Sequence, residues 1–173
     1  MSILVKKSVA LVLFMMVAKA AITQVKYHKI GHFDEYKTDW ALVKVGKKYG
    51  FINSAGEEVV KPIYHKIGHF DEYKTDWALV KVGKKYGFIN SAGEEVVKPI
   101  YDKIGHFDEY KTGWALVKVG KKYGFINSAG EEVVKPIYHK IGHFDEYKTG
   151  WALVKVGKKY GFINRTGTYI KSD

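Results

Sequence analysis

The stretch Tyr27 to Ile63, YHKIGHFDEYKTDWALVKVGKKYGFINSAGEEVVKPI, returns without change from Tyr64 to Ile100. It returns with two substitutions from Tyr101 to Ile137 and with an altered tail from Tyr138 to Asp173. Four copies at a period of 37 residues must solve one packing problem four times, so the chain reads as a tandem repeat array. A unit of this size cannot bury both of its faces, and neighbouring copies must share cores. Cysteine is absent, which removes disulfides and Cys-ligated zinc and leaves packing as the source of stability. With 46% hydrophobic and 15% aromatic residues, the chain has the material for that packing and is not a disordered one.

Within copy one, Trp40 to Val45 alternates in the manner of a strand: Ala41, Val43 and Val45 fall on one face, Trp40, Leu42 and Lys44 on the other. Gly46-Lys47 is a two-residue turn whose leading glycine suits a type II′ hairpin. A second strand runs from Lys48 to Asn53, and Asn53-Ser54-Ala55-Gly56 turns the chain again. Glu57 to Lys61 is a third strand, with Pro62 expected to end it. Each copy is thus a three-stranded antiparallel meander, and Tyr64 to Asp76 is the linker to the next, with Tyr64, Ile67 and Phe70 as plugs docked on the sheet. No helical period of useful length appears after residue 20.

The expected fold is all-β: an open, slightly superhelical array of four such units over residues 27–63, 64–100, 101–137 and 138–173. A small four-bladed propeller is the alternative, although 37 residues is short for a blade of four strands. Counted by period, Val60 becomes Lys171 in the last copy while Val59 becomes Ile170. One face of the last strand turns charged, as a terminal repeat requires, and the face bearing Val60, Val97 and Val134 is expected to meet the following copy.

Residues 1–20 read as a secretory signal peptide. Lys6 and Lys7 precede the apolar run Ser8 to Val17, and Ala18-Lys19-Ala20 fits a cleavage site. The apolar run is about half the ~20 residues that a membrane helix needs, so no membrane span is expected after cleavage. Residues 21–26 form a short lead-in, and the mature protein is expected to be secreted or periplasmic. Of the formal charge of +11, three positive charges lie in the signal segment, and each of the first three copies carries six lysines against five acidic residues. Acidic pairs such as Asp34-Glu35 and Glu57-Glu58 interrupt the basic stretches, which argues against nucleic acid as a partner.

Lys-Lys-Tyr-Gly-Phe-Ile-Asn, Gly-Glu-Glu-Val-Val-Lys-Pro-Ile-Tyr, Ile-Gly-x-Phe and Ala-Leu-Val-Lys recur in order through the copies. This pattern resembles the WG-repeat family of bacterial proteins over about Tyr27 to Ile170. Tyr49, Tyr86, Tyr123 and Tyr160 stand where the family has tryptophan, and the family's Tyr-Asp pair survives only as Tyr101-Asp102. The resemblance implies an all-β repeat array with no family-wide catalytic residues and no settled ligand.

Two constellations invite a chemical reading. Histidines recur four apart (His28 and His32, His65 and His69, His139 and His143, with Asp102 and His106 in copy three). Zinc accepts such groups when both lie on one helix face, but Ile-Gly separates them here, so they read as linker decoration, and no metal or other cofactor is expected. The acidic pairs suggest a two-carboxylate hydrolase only weakly, because four equivalent sites suit a binding array better than a catalyst. The chain is accordingly read as a non-enzyme.

The candidate ligand surface is aromatic and basic: Tyr36, Lys37 and Trp40, with Tyr73, Lys74 and Trp77, Tyr110, Lys111 and Trp114, and Tyr147, Lys148 and Trp151. Aromatic faces among charges suit a sugar or peptide surface, and repetition adds avidity along a polymer. The competing reading makes the tryptophans core plugs between copies. The functional expectation is an exported, non-catalytic protein-interaction or scaffold module, the alternative being multivalent binding of cell-surface or cell-wall polysaccharide. Unpaired edge strands at the first and last copies are expected to permit end-to-end self-association.

Overall fold

The computed structural model describes residues 27–171. The expected signal segment and lead-in lie outside the described residues. Sixteen strands form four antiparallel sheets, each ordered as the chain runs. The first sheet is β1 (Lys29–Phe33), β2 (Trp40–Val45), β3 (Lys48–Asn53) and β4 (Glu58–Tyr64). The second is β5 (Lys66–Lys74), β6 (Trp77–Val82), β7 (Lys85–Asn90) and β8 (Glu95–Tyr101). The third is β9 (Lys103–Phe107), β10 (Trp114–Val119), β11 (Lys122–Asn127) and β12 (Glu132–Tyr138). The fourth is β13 (Lys140–Lys148), β14 (Trp151–Val156), β15 (Lys159–Asn164) and β16 (Tyr169–Lys171).

The all-β open array stands, but its unit has four strands where the sequence suggests three. The linker is the first strand of each sheet. Ile67 pairs with Val80 and Phe70 with Ala78, so two residues on β5 oppose one on β6. That bulge at Gly68-His69 brings residues three apart onto one face, a spacing that hides the strand from a period-two reading.

The last strand also differs, because β4 continues through Pro62 to Tyr64. Its register slips between Phe51↔Val60 and Tyr49↔Tyr64, and the slack is taken up around Pro62. The bulged backbone passes directly over Gly50, where a Cβ would sit 2.2 Å from the Val60 carbonyl oxygen and 2.7 Å from the Pro62 nitrogen. Only glycine allows that approach. The fourth copy lacks the proline and the bulge: Ile163↔Tyr169, Phe162↔Ile170 and Gly161↔Lys171 run in step, and the Tyr169 ring lies over Gly161. Losing the bulge corrects the count by period. Ile170, not Lys171, stands opposite Phe162 as Val60 stands opposite Phe51.

Gly46 has φ of 58° while Lys47 stays at negative φ, the signature of the II′ hairpin. The turn between β1 and β2 uses two left-handed aspartates, Asp34 at 66° and Asp39 at 69°. Asp34 Oδ1 accepts the Asp39 amide at 2.6 Å, so Asp34 has a local role, whereas the Asp39 side chain makes no such bond. Copies three and four place Gly113 and Gly150 at this second position, at 78° and 84°. Asp76→Gly (φ 64°) is therefore expected to stabilise the chain by about 0.5 kcal/mol, since left-handed backbone strains any residue with a Cβ. Thermal unfolding of the variant checks this, and a lower midpoint would count against it.

The cores lie between consecutive sheets. Trp40, Phe51, Val60 and Tyr64 of the first sheet pack against Ile67, Ala78, Val80 and Ile89 of the second. The same sets recur at the second and third junctions. The face bearing Val60, Val97 and Val134 does meet the next copy. In the second sheet Ile67 is 5% exposed, whereas its counterpart Ile30 in the first is 53% exposed. Ala41, Val43 and Ile52 of the first sheet form a small buried cluster with Tyr27. Among the described residues no core joins the fourth sheet to the first, so the array is open.

Candidate binding surface

The alternation that makes β2 a strand sends Trp40 to the face that carries Phe51 and Val60, which is core. Trp40, Trp77 and Trp114 are buried, and Trp151 is half-buried because no sheet follows it among the described residues. Each of the first three sits tilted on the phenylalanine of its own sheet and edge-on to one from the next: Trp40 lies 5.4 Å from Phe51 and 5.9 Å from Phe70. These tryptophans are inter-copy plugs and offer no ring face to a ligand.

The lysines and tyrosines beside them line the rim. Lys37, Lys74, Lys111 and Lys148 hold their ammonium groups 4.8, 4.3, 4.2 and 5.1 Å from the neighbouring tryptophan rings, a cation–π lid over each plug. Burial, with Arg165 adding to it, holds Lys111 below the usual lysine range. Tyr36, Tyr73 and Tyr110 are half-buried, while Tyr147 is exposed. Each of the three stacks on a histidine of the following copy (His69, His106 or His143) at 4.4 Å. Burial, and then the adjacent Glu35, raises the Tyr36 hydroxyl above its ordinary pKa. The twelve residues therefore split: Trp40, Trp77 and Trp114 in the core, the lysines over the tryptophans, and Tyr36, Tyr73 and Tyr110 at the junctions, while Trp151 is half-buried and Tyr147 exposed in the last copy.

The two histidines of each copy have separate tasks. Nδ1 of His28, His65 and His139 accepts the amide of Gly46, Gly83 and Gly157 at 2.9, 2.8 and 2.9 Å, which ties the start of each sheet to its hairpin. Asp102 does the same in copy three, its Oδ2 accepting the Gly120 amide at 2.6 Å. The second histidine is the one stacked on tyrosine. Four residues along a strand separate the pair by about 13 Å, too far to share one metal. Among the described residues no group of three or more His, Asp or Glu is placed to hold a metal ion.

Asp102 also reaches back to the preceding copy, 2.7 Å from Lys85 Nζ. That bond and the Gly120 amide hold its carboxyl below the usual aspartate range. A lowered folded-state pKa means the contribution is complete above the unfolded value of about 3.9 and is lost as pH falls through the folded one. Acidification below about pH 4 is expected to loosen the second junction through this group. Asp102→Asn, which keeps an acceptor for Gly120, should remove that part of the acid sensitivity; an unchanged acid-unfolding curve would refute the assignment.

What the sequence reading missed is a cleft at the junction. Between the first and second sheets a cavity of about 750 Å³ is lined by Lys29, Glu35, Tyr36, Lys44, Tyr49, His65, Lys66 and Lys81, with Leu42 and Ile67 at its apolar base. Lys44 Nζ lies 5.3 Å from the centre of the Tyr49 ring. The fourth copy repeats one wall of this cleft with Lys140, Glu146, Tyr147, Lys155 and Tyr160. The signal was present in the sequence as the paired positions of Lys29 and Lys44, but it needed the register of the linker strand to be read.

The WG containing repeat model matches residues 49–86, 86–123 and 123–160. Each match takes the last two strands of one sheet and the first two of the next, and so spans a junction and its cleft. No curated protein is significantly similar to the chain. With matches running without a gap from Tyr49 to Tyr160, well over half of its 173 residues, the chain belongs to the WG-containing repeat family.

Proposed function

We propose that this repeat binding module works outside the cytoplasm, without catalysis, and holds successive stretches of one polysaccharide at successive junctions. The junction cleft carries the reading: a concave site with tyrosine rings, hydrogen-bonding cations and a carboxylate (Glu35), built from residues that recur along the array. Such a lining suits a sugar ring and its hydroxyls, and recurrence gives avidity on a polymer. Co-sedimentation of the full chain with a panel of neutral and acidic polysaccharides tests it, and retention by none of them would overturn it. Export rests on the apolar run and cleavage site in residues 1–20; N-terminal sequencing of exported protein should begin at Ala21, and an intact Met1 confined to the cytoplasm would refute it.

A protein-scaffold reading has its own support on the opposite edge of the sheets. Ile63, Ile100 and Ile137 are each about half exposed, at 49%, 51% and 50%, and form an apolar column on the edge strands β4, β8 and β12. Replacing all three with threonine should abolish a protein partner's binding and leave polysaccharide binding alone; a partner still captured would refute this reading. End-to-end association belongs with it. Ile30 and Phe33 are exposed where Ile67, Ile104 and Ile141 are buried against a preceding sheet. They are the apolar surface left to a second copy on this face, since Ala41, Val43 and Ile52 beside them are already buried. Sedimentation velocity at rising concentration tests this, a constant monomer being the contrary result.

A further inference from the structure

The first two strands of every sheet place two lysines opposite each other. The pairs are Lys29↔Lys44, Lys66↔Lys81, Lys103↔Lys118 and Lys140↔Lys155. Cross-strand partners project from the same face, and like charges there repel. Among the described residues none of the eight lysines joins an ion pair, since the two that form involve Lys85 with Asp102 and Arg165 with Asp145. Four like-charge pairs thus stand along one edge of the array with no ion pair to offset them, although Lys118 also feels the Asp102 carboxylate. The first two pairs line the junction cleft.

We infer that these lysine pairs form a row of subsites for the carboxylates of an acidic polysaccharide, an inference that rests on the polysaccharide reading above. Stacked sheets lie about 10 Å apart, so the row offers two cations per about 10 Å of array. Duplex DNA carries one charge per ~1.7 Å and calls for a denser row than this. A polymer with a carboxylate every sugar or two is closer in charge spacing. The tyrosine that accompanies each pair (Tyr49 beneath Lys44, Tyr86 beneath Lys81, Tyr123 beneath Lys118) lies under the ammonium group at 5.3, 5.1 and 5.6 Å and holds that cation in place to meet a carboxylate. Glu35 in the cleft accepts from hydroxyls and disfavours a ligand that is anionic throughout.

The test uses the full chain with polygalacturonate, its carboxyl-reduced form and polyglutamate, each at low and high salt. Tight, salt-weakened binding of polygalacturonate over both other polymers is expected. Lys66→Gln, Lys103→Gln and Lys140→Gln together should weaken it roughly tenfold. Lys61→Gln, Lys98→Gln and Lys135→Gln, which make the same change in net charge on the opposite edge strands, should leave it unchanged. All six lysines are exposed, so circular dichroism should show both variants folded. Equal loss in the two triples would reduce the effect to net charge and overturn the site. Equal binding of the carboxyl-reduced polymer would overturn the anionic ligand while leaving the polysaccharide reading intact, and polyglutamate binding as well as polygalacturonate would overturn the sugar. Retention of neither polysaccharide would remove the inference together with the reading beneath it.

Discussion

Gly87→Ala is expected to lower stability by about 3 kcal/mol or more, whereas Gly161→Ala, the same change in the fourth copy, should cost about 1 kcal/mol. At Gly87 the new Cβ would meet the Val97 carbonyl oxygen at 2.2 Å, the Pro99 nitrogen at 2.7 Å and the Lys98 carbonyl carbon at 2.8 Å. All three are backbone, and they belong to a strand fixed on one side by its pairing with β7 and on the other by Val97 and Tyr101 in the core. The strand cannot retreat without stripping that core, so β8 should separate from β7. At Gly161 the obstacle is the Tyr169 ring, with its Cε2 at 2.5 Å. That ring is 41% exposed, and a side chain whose ring neighbour is Tyr138 at 6.3 Å gives way more readily than backbone does. Hydrogen exchange of the β7 and β8 amides is the suitable readout, because a repeat array unfolds in parts and a single global free energy is not well defined for it. Protection in β7 and β8 that survives Gly87→Ala would show that the bulge is not what fixes the glycine.

The same bulges explain how far the sequence could be read. Wherever alternation is unbroken, as in Trp40–Val45 and Lys48–Asn53, the strands, their hairpin and the buried face follow from period two alone. At Ile67-Gly68-His69-Phe70 an extra residue breaks the alternation, and a strand looks like a linker with two docked apolar residues. At Val60-Lys61-Pro62 proline looks like a stop because its missing N–H disqualifies it from a regular ladder, yet at a bulge no partner is waiting for that N–H. The aromatic-glycine pair carried the information: a glycine opposite a proline-bearing bulge says that two backbones touch there. The cleft was hidden for the same cause. Lys29 and Lys44 are fifteen residues apart in the chain and become partners only once the linker is recognised as a strand. The tryptophan positions were legible as core or as surface, and register settles them, since Trp40 shares a face with Phe51 and Val60.

That placement yields the second large effect. Trp77→Ala is expected to cost about 3–5 kcal/mol, with the loss felt in two sheets at once. The indole is 7% exposed and lies 5.5 Å from Phe88 in its own sheet and 5.8 Å from Phe107 in the next. Its Cη2 is also in contact range of the turn at Gly130 in the third sheet, 3.3 Å from where a Cβ would stand. Truncation leaves a cavity walled by three separate elements that cannot collapse onto one another without moving the sheets. It also strips Lys74 of the ring it covers. Trp151→Ala has half of this to lose, because its outer side meets no further sheet among the described residues, and about 1–2 kcal/mol is the expected cost. Urea unfolding followed by the fluorescence of the remaining tryptophans distinguishes the two variants. Should Trp77→Ala unfold at the wild-type urea concentration while polysaccharide retention disappears, the indole would be a ligand platform after all; a large shift toward lower urea, with Trp151→Ala in between, marks it as the plug that couples one copy to the next.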